Sequence, residues 1–259
     1  MAGVKFDAHY AITTVDPPEL TKFIKQKYPD VERMRPPINM WDLIAKKRMP
    51  PTRVVRYCCD VLKEDGGNGR TVITGVRWDE SSRRKNTRKA VEYGFKGSKS
   101  KVAREDKEKF YLLNDNEEKR KMMESCTYKN KNIVNAIIDW TDQHVWDFIK
   151  KYKIPYCKLY DEGYKRLGCL GCPMQGKKIV FDFYNFPYVF AQYLKAFDRM
   201  LIENEKVGNI KVGWDTGHDV MQWWIQMSDK EYSNFQEKLK LSIIEKGKER
   251  YLKYLNIKC

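Results

Sequence analysis

The chain has 259 residues, long enough to bury a sizeable core as one large domain with an appendage. Its composition is 42% hydrophobic and 33% charged, and no apolar run approaches the length of a bilayer span, so a membrane-embedded chain is excluded and a cytoplasmic one expected. The formal charge of +15 points to anionic partners, and seven cysteines without an export signal read as reduced thiols rather than a disulfide framework.

Residues 6–14 (FDAHYAITT) are apolar and β-prone enough for a buried strand. The VDPPE that follows predicts a turn into a helix, with Asp16 as cap, Pro17 at its first position and Glu19 at capping-box spacing. Leu20, Phe23, Ile24 and Tyr28 give that helix an inward stripe, completing a β-α unit of a parallel sheet. A short helix is expected over 40–47, broken by Pro50-Pro51. Residues 53–63 (RVVRYCCDVLK) then have helical character and carry the adjacent pair Cys58-Cys59.

An Asn68-Gly69 turn leads into a second strand over 70–76, and GVRWDESSRR lies at its carboxyl end. Ligands of open α/β sheets bind at that end, so Arg77, Ser81, Arg83 and Arg84 are candidates for holding a phosphate or sulfate. The same arginines also fit a plain surface role beside a strand. From 83 to 131 there are 16 basic and 8 acidic residues, net +8, which reads either as a phosphate-attracting field or as a solvated lysine-rich face. Much of that segment, about 85–132, is weakly periodic and reads as an insertion. A third strand is expected over 133–139, with Thr141 capping a helix whose Val145, Phe148, Ile149 and Tyr152 recur at helical spacing.

Residues 161–175 (DEGYKRLGCLGCPMQ) hold the second cysteine pair, Cys169 and Cys172, among glycines that let the backbone curl tightly. Zinc sites commonly use two C-x-x-C knuckles, and a directly adjacent pair suits that arrangement poorly. An iron–sulfur cluster is a larger body with separate iron corners and accepts neighbouring side chains that point apart. Cys58, Cys59, Cys169 and Cys172 are therefore candidate ligands of a 4Fe-4S cluster, with zinc and unliganded thiols as the alternatives. From 177 onward the chain reads as helices over 185–205, 219–227 and 229–255, rich in aromatic residues suited to packing or to base stacking. The expected domains are an α/β domain over 1–176 and a helical extension over 177–259.

The order RYCC-x-x-x-K, GVRWDESSRR, IIDWTDQHVWDFI, IPYCKLYDEGY and R-x-GCLGCP resembles the phosphoadenosine phosphosulfate reductase family, from about residue 6 to 173. The resemblance implies an α/β fold with an open, mainly parallel sheet flanked by helices, an incomplete adenine-nucleotide alpha-hydrolase-like fold with a helical C-terminal extension. Its cluster-bearing branch implies 4Fe-4S ligation by the four cysteines, with Lys63 between cluster and substrate and Arg77 facing the phosphosulfate. It further implies an adenine sulfonucleotide substrate and a thioredoxin-like reductant.

Two departures accompany the resemblance. The family's Ser-Gly-Gly-x-Asp-Ser phosphate loop has no counterpart, as though the chain began one β-α unit late. The family's nucleophilic cysteine lies in a Glu-Cys-Gly-Leu-His tail, whereas only Cys259 falls near that end here, in Asn-Ile-Lys-Cys. Cys126 and Cys157 read as structural. Three readings follow: a sulfonucleotide reductase, a sulfurtransferase of the same fold acting on DNA or RNA, and a non-catalytic cluster-binding remnant.

Overall fold

Two short parallel strands, β1 (His9–Ala11) and β2 (Glu32–Met34), are joined through helix α1 (Pro18–Lys27), with His9 paired to Glu32 and Ala11 to Met34. They come from a computed structural model that describes residues 3–63, 66, 67, 69–92, 131–209 and 213–255. The expected strand over 6–14 contracts to three residues because the backbone leaves the ladder at its end. Thr13 N–H donates to Asp16 Oδ2 at 2.6 Å, and Thr14 turns left-handed with φ 66°. Asp16 therefore does not cap α1. The cap position is Pro17, which makes no side-chain cap bond.

Helix α2 (Met40–Lys47) forms where expected and buries Met40, Leu43, Ile44 and Ala45, with the Asn39 side chain accepting from Asp42 N–H at 2.9 Å. Helix α3 (Tyr57–Leu62) starts later than the sequence suggests. A turn consumes the preceding residues: Thr52 N–H donates to Val55 O at 3.1 Å, and Val55 N–H to Thr52 Oγ1 at 2.9 Å.

The chain divides into two compact units: Met1–Lys63 together with Lys158–Cys259, and Glu64–Cys157. This division follows spatial contact, whereas the boundary drawn at 176 follows a change in composition. In the second unit, β3 (Thr71–Thr74) and β5 (Asn132–Asn135) pair in parallel, and β4 (Val91–Glu92) pairs antiparallel to β5 in the order β3-β5-β4. Helix α4 (Ser82–Thr87) lies between β3 and β4, and α5 (Asp142–Lys151) follows β5 with Thr141 as its cap, accepting from His144 N–H at 3.1 Å. The third strand stops at Asn135 because tight turns follow it, with Ile138 N–H donating to Asn135 O and Trp140 N–H to Ile137 O.

The first unit is completed by α6 (Ile179–Asn185), α7 (Pro187–Glu205), α8 (Gly217–Trp224) and α9 (Asp229–Glu245). The core centres on α7, whose Phe190, Tyr193 and Phe197 are buried against Trp41, Phe183, Trp224 and Phe235. Packing therefore claims most of the C-terminal aromatics. The adjacent tryptophans part ways: Trp224 is buried and donates to Pro51 O, while Trp223 is 49% exposed against Trp214. The molecule is thus α/β, with small parallel and mixed sheets flanked by helices and a helical C-terminus. Among the described residues, no helix is long and apolar enough to cross a membrane.

Candidate functional site

The two cysteine pairs come from regions far apart in sequence and enter one electrostatic neighbourhood of the first unit. Cys58 and Cys59 lie on the first turn of α3, and Cys169 and Cys172 lie on the loop that precedes α6; all four are free and half-buried. The loop is fastened by its backbone. Leu170 N–H donates to Val15 O at 2.8 Å, just past β1, and Gly171 N–H donates to the buried Asp182 carboxylate at 2.8 Å. Gln175 Nε2 donates to the same Asp182 oxygen at 2.8 Å, and Tyr193 Oη donates to Leu170 O at 3.2 Å.

Gly171 is required at its position. Its φ is 69°, and a Cβ there would stand 2.5 Å from the Tyr193 ring and 3.2 Å from Phe183. At the opposite side, Cys169 Sγ lies 3.4 Å from Thr13 Oγ1. The strained Thr14 beside it is held by its hydroxyl, which accepts Met40 N–H at 2.9 Å at the start of α2.

The thiols do not share one protonation behaviour. The hydrogen bond between Cys58 and Cys59 pulls their affinities apart: Cys59 falls to about 5, with Arg56 and Lys63 aiding its thiolate. Cys58 is pushed far up by that same bond, by burial and by the charges of Cys59, Cys169 and Cys172. Burial also raises the Cys172 thiol. Desolvation works against the Lys63 ammonium, yet Cys169, Cys59 and Asp16 hold its charge, and its pKa ends above normal. Among the described residues, no three His, Cys, Asp or Glu side chains stand close enough to hold a single metal ion. Each of these shifts carries contributions from the other cysteines, so the sulfurs sense one another's charge.

The predicted anion residues lie in the second unit, after β3. Arg77 Nη2 donates to Asp142 Oδ1 at 2.6 Å, and Arg77 Nε stands 3.9 Å from Glu80 Oε1. Arg84 Nη1 donates to Glu80 Oε2, so one carboxylate serves both arginines. Arg77 Nη1 is buried without a hydrogen-bond partner among the described residues. Ser81 caps α4, its Oγ accepting Arg84 N–H at 3.2 Å, and Arg83 is half-buried on that helix. Cys157 is buried, whereas Cys126, Cys259 and residues 93–130 of the basic segment lie outside the described residues.

Sequence reasoning missed several supporting groups. Glu80 had a visible signal, standing three and four residues from Arg77 and Arg84 at ion-pairing spacing. Asp142, Asp182 and Gln175 had none, because their roles depend on tertiary contacts.

An α/β scaffold that gathers two remote cysteine pairs around a lysine defines a thiol-centred α/β protein. The model of the phosphoadenosine phosphosulfate reductase domain matches residues 10–175, and the chain belongs to that family. It is similar to an uncharacterized protein of Methanocaldococcus jannaschii, 31% identical over 97 residues, which are 37% of this chain and 19% of that protein. It is also similar to an adenosine 5'-phosphosulfate reductase of Staphylococcus haemolyticus, 37% identical over 60 residues, covering 19% of this chain and 25% of the relative. A third match is a phosphoadenosine 5'-phosphosulfate reductase of Xylella fastidiosa, 37% identical over 35 residues, or 14% of this chain and 15% of the relative. The matched stretches thus span a quarter or less of these relatives' lengths. No solved structure matches the chain.

Proposed function

We propose that the chain is a sulfonucleotide reductase whose Cys58, Cys59, Cys169 and Cys172 hold a 4Fe-4S cluster. The observation that carries this reading is the meeting of an adjacent cysteine pair with a later C-x-x-C around Lys63, inside a domain of this family. The donor set fits such a group, since all four sulfurs are unpaired and partly shielded and Cys59 already favours its thiolate. When bound, the cluster supplies an anionic inorganic centre whose charge and potential depend on its surroundings.

The reaction would use the chain's own groups in sequence. A thiolate attacks the sulfur of an adenylyl sulfate, an S–S bond forms, the S–O bond to phosphate breaks, and the nucleotide leaves with the electron pair. A second thiol then attacks the enzyme sulfur and releases sulfite. Two thiols become one disulfide as the substrate sulfur gains two electrons, and a thioredoxin-like dithiol supplies the second thiol. Cys259 is the candidate nucleophile. Lys63 is the cation placed to steady charge beside the cysteines, and Arg77 offers its unsatisfied Nη1 N–H to an anion. The neighbouring Arg83, Arg84 and Ser81 would line the same anion position.

The test is anaerobic purification with iron, sulfide and zinc analysis, followed by sulfite release from adenosine 5'-phosphosulfate and its 3'-phosphorylated form with thioredoxin. Iron and sulfide in a four-to-four ratio, lost in Cys58→Ser and Cys169→Ser, would support the centre. Stoichiometric zinc, or a cluster-loaded chain that releases no sulfite from either nucleotide, would overturn the reading.

A further inference from the structure

A groove of about 870 Å³ opens at the carboxyl ends of β1 and β2, between α1 and the start of α2. Its lining carries four cations, Lys22, Lys25, Arg33 and Arg35, against one carboxylate, Asp42. Lys22 and Lys25 stand three residues apart on α1 and share a helix face. Arg33 and Arg35 are two residues apart along extended backbone and share a side. All four are exposed, and none forms an ion pair among the described residues.

The one carboxylate does not neutralise them. Asp42 is held by Arg199 Nη1 at 2.8 Å and by Asn39 Nδ2 at 2.7 Å. Two of the backbone donors that open α2 are also committed, Met40 N–H to Thr14 Oγ1 and Asp42 N–H to Asn39 Oδ1. Attraction for an anion therefore falls to the four long side chains. Among the described residues, no aromatic ring lines the groove, and Pro36, Pro37 and Ile38 provide apolar surface without a stacking platform.

We propose that this groove binds the phosphate backbone of a single-stranded nucleic acid, with Lys22 and Lys25 on one wall and Arg33 and Arg35 on the other. Paired cations on two walls match a regularly charged chain flexible enough to thread between them. Phosphate contacts fix position without reading bases, so recognition is independent of sequence. The proposal uses none of the cysteine or arginine-turn residues discussed above and does not depend on the sulfur chemistry.

The experiment follows binding of a fluorescent oligothymidylate to the full chain across a salt series. Four phosphate contacts give a log–log salt slope of about −2.8, at about −0.7 per phosphate for single strands. The variant Lys22→Gln/Lys25→Gln/Arg33→Gln/Arg35→Gln should lose most of that slope and at least about 100-fold in affinity at low salt. A control carrying Lys230→Gln, Lys238→Gln, Lys240→Gln and Lys246→Gln removes equal charge elsewhere and should change affinity by only a few fold. Should the quadruple groove variant unfold, Lys22→Gln/Lys25→Gln alone should remove about half of the slope. Equal loss in the control, unchanged binding in the groove variants, or displacement of the oligonucleotide by a poly-glutamate peptide at matched charge would overturn the proposal. Binding of inorganic triphosphate at the groove without binding of the oligonucleotide would overturn it equally.

Discussion

The cysteine loop and the arginine turn follow opposite electrostatic plans. Around α3 and the loop before α6, like groups are pressed together: four thiols share a neighbourhood with Lys63 and Arg56, and their proton affinities spread apart as a result. After β3, unlike groups are matched, with Glu80 and Asp142 answering Arg77 and Arg84. The first arrangement is fastened to the fold by hydrogen bonds from its loop backbone and by tight packing. The second is held by its own charges. An anion reaching Arg77 must compete with carboxylates, whereas a guest among the thiols would relieve crowding of like charge.

The sharpest way to break this contrast is Gly171→Ala. The added methyl meets the Tyr193 ring at 2.5 Å in a left-handed backbone conformation, so about 3 kcal/mol or more of stability should be lost. Urea unfolding should reveal it, together with loss of any bound iron. An unchanged midpoint would mean that the loop is not held by packing.

Next comes Asp182→Ala, which leaves Gly171 N–H and Gln175 without their shared acceptor in a buried site. About 2 kcal/mol of destabilisation is expected, read as a shift in denaturation midpoint. In the second unit, Glu80→Gln strips one carboxylate from two arginines whose pairs are partly exposed, and about 1 kcal/mol should be lost. Phosphate, at ionic strength matched with chloride, should then restore stability to the variant more than to the parent. Equal responses would break the idea that Glu80 occupies the anion's place.

A pH-dependent effect concerns the helices behind the cysteine loop. His218 accepts or donates at 2.8 Å to Tyr232 Oη, and burial lowers its pKa despite Asp198, the Tyr254 backbone and Asp219. The unfolded chain therefore takes up this proton first as pH falls. Stability is fully present above the unfolded value near 6.5 and is lost as pH drops through the window below it, by at most about 1.4 kcal/mol per pH unit. His218→Gln should flatten that slope in urea titrations between about pH 7 and 5.

Much of the local architecture was legible in the sequence. The helix expected over 40–47 forms as α2, Thr141 caps its helix through short-range chemistry, and the strand at 71–74 follows the Asn68-Gly69 turn signal. The cysteine pairs stood out because their combination is rare, and the fold does bring them into one neighbourhood. The strand at 32–34 escaped notice because ERM carries no alternation that a two-residue period could reveal. The role of Asp16 was misread because a cap and a return bond to Thr13 N–H use the same side chain. The pairing of Arg77 with Asp142 joins residues 65 apart and left no local trace.

The discontinuous first unit also has a consequence for synthesis. Cys58 and Cys59 leave the ribosome with α3, but the loop that carries Cys169 and Cys172 follows 113 residues after Cys59 at its last thiol, and α7 and α9 follow later still. At about 5–20 residues per second, the first thiols wait roughly 6 to 23 s for the second pair. During that interval the nascent chain presents adjacent, uncovered sulfurs to whatever oxidant or metal its surroundings contain.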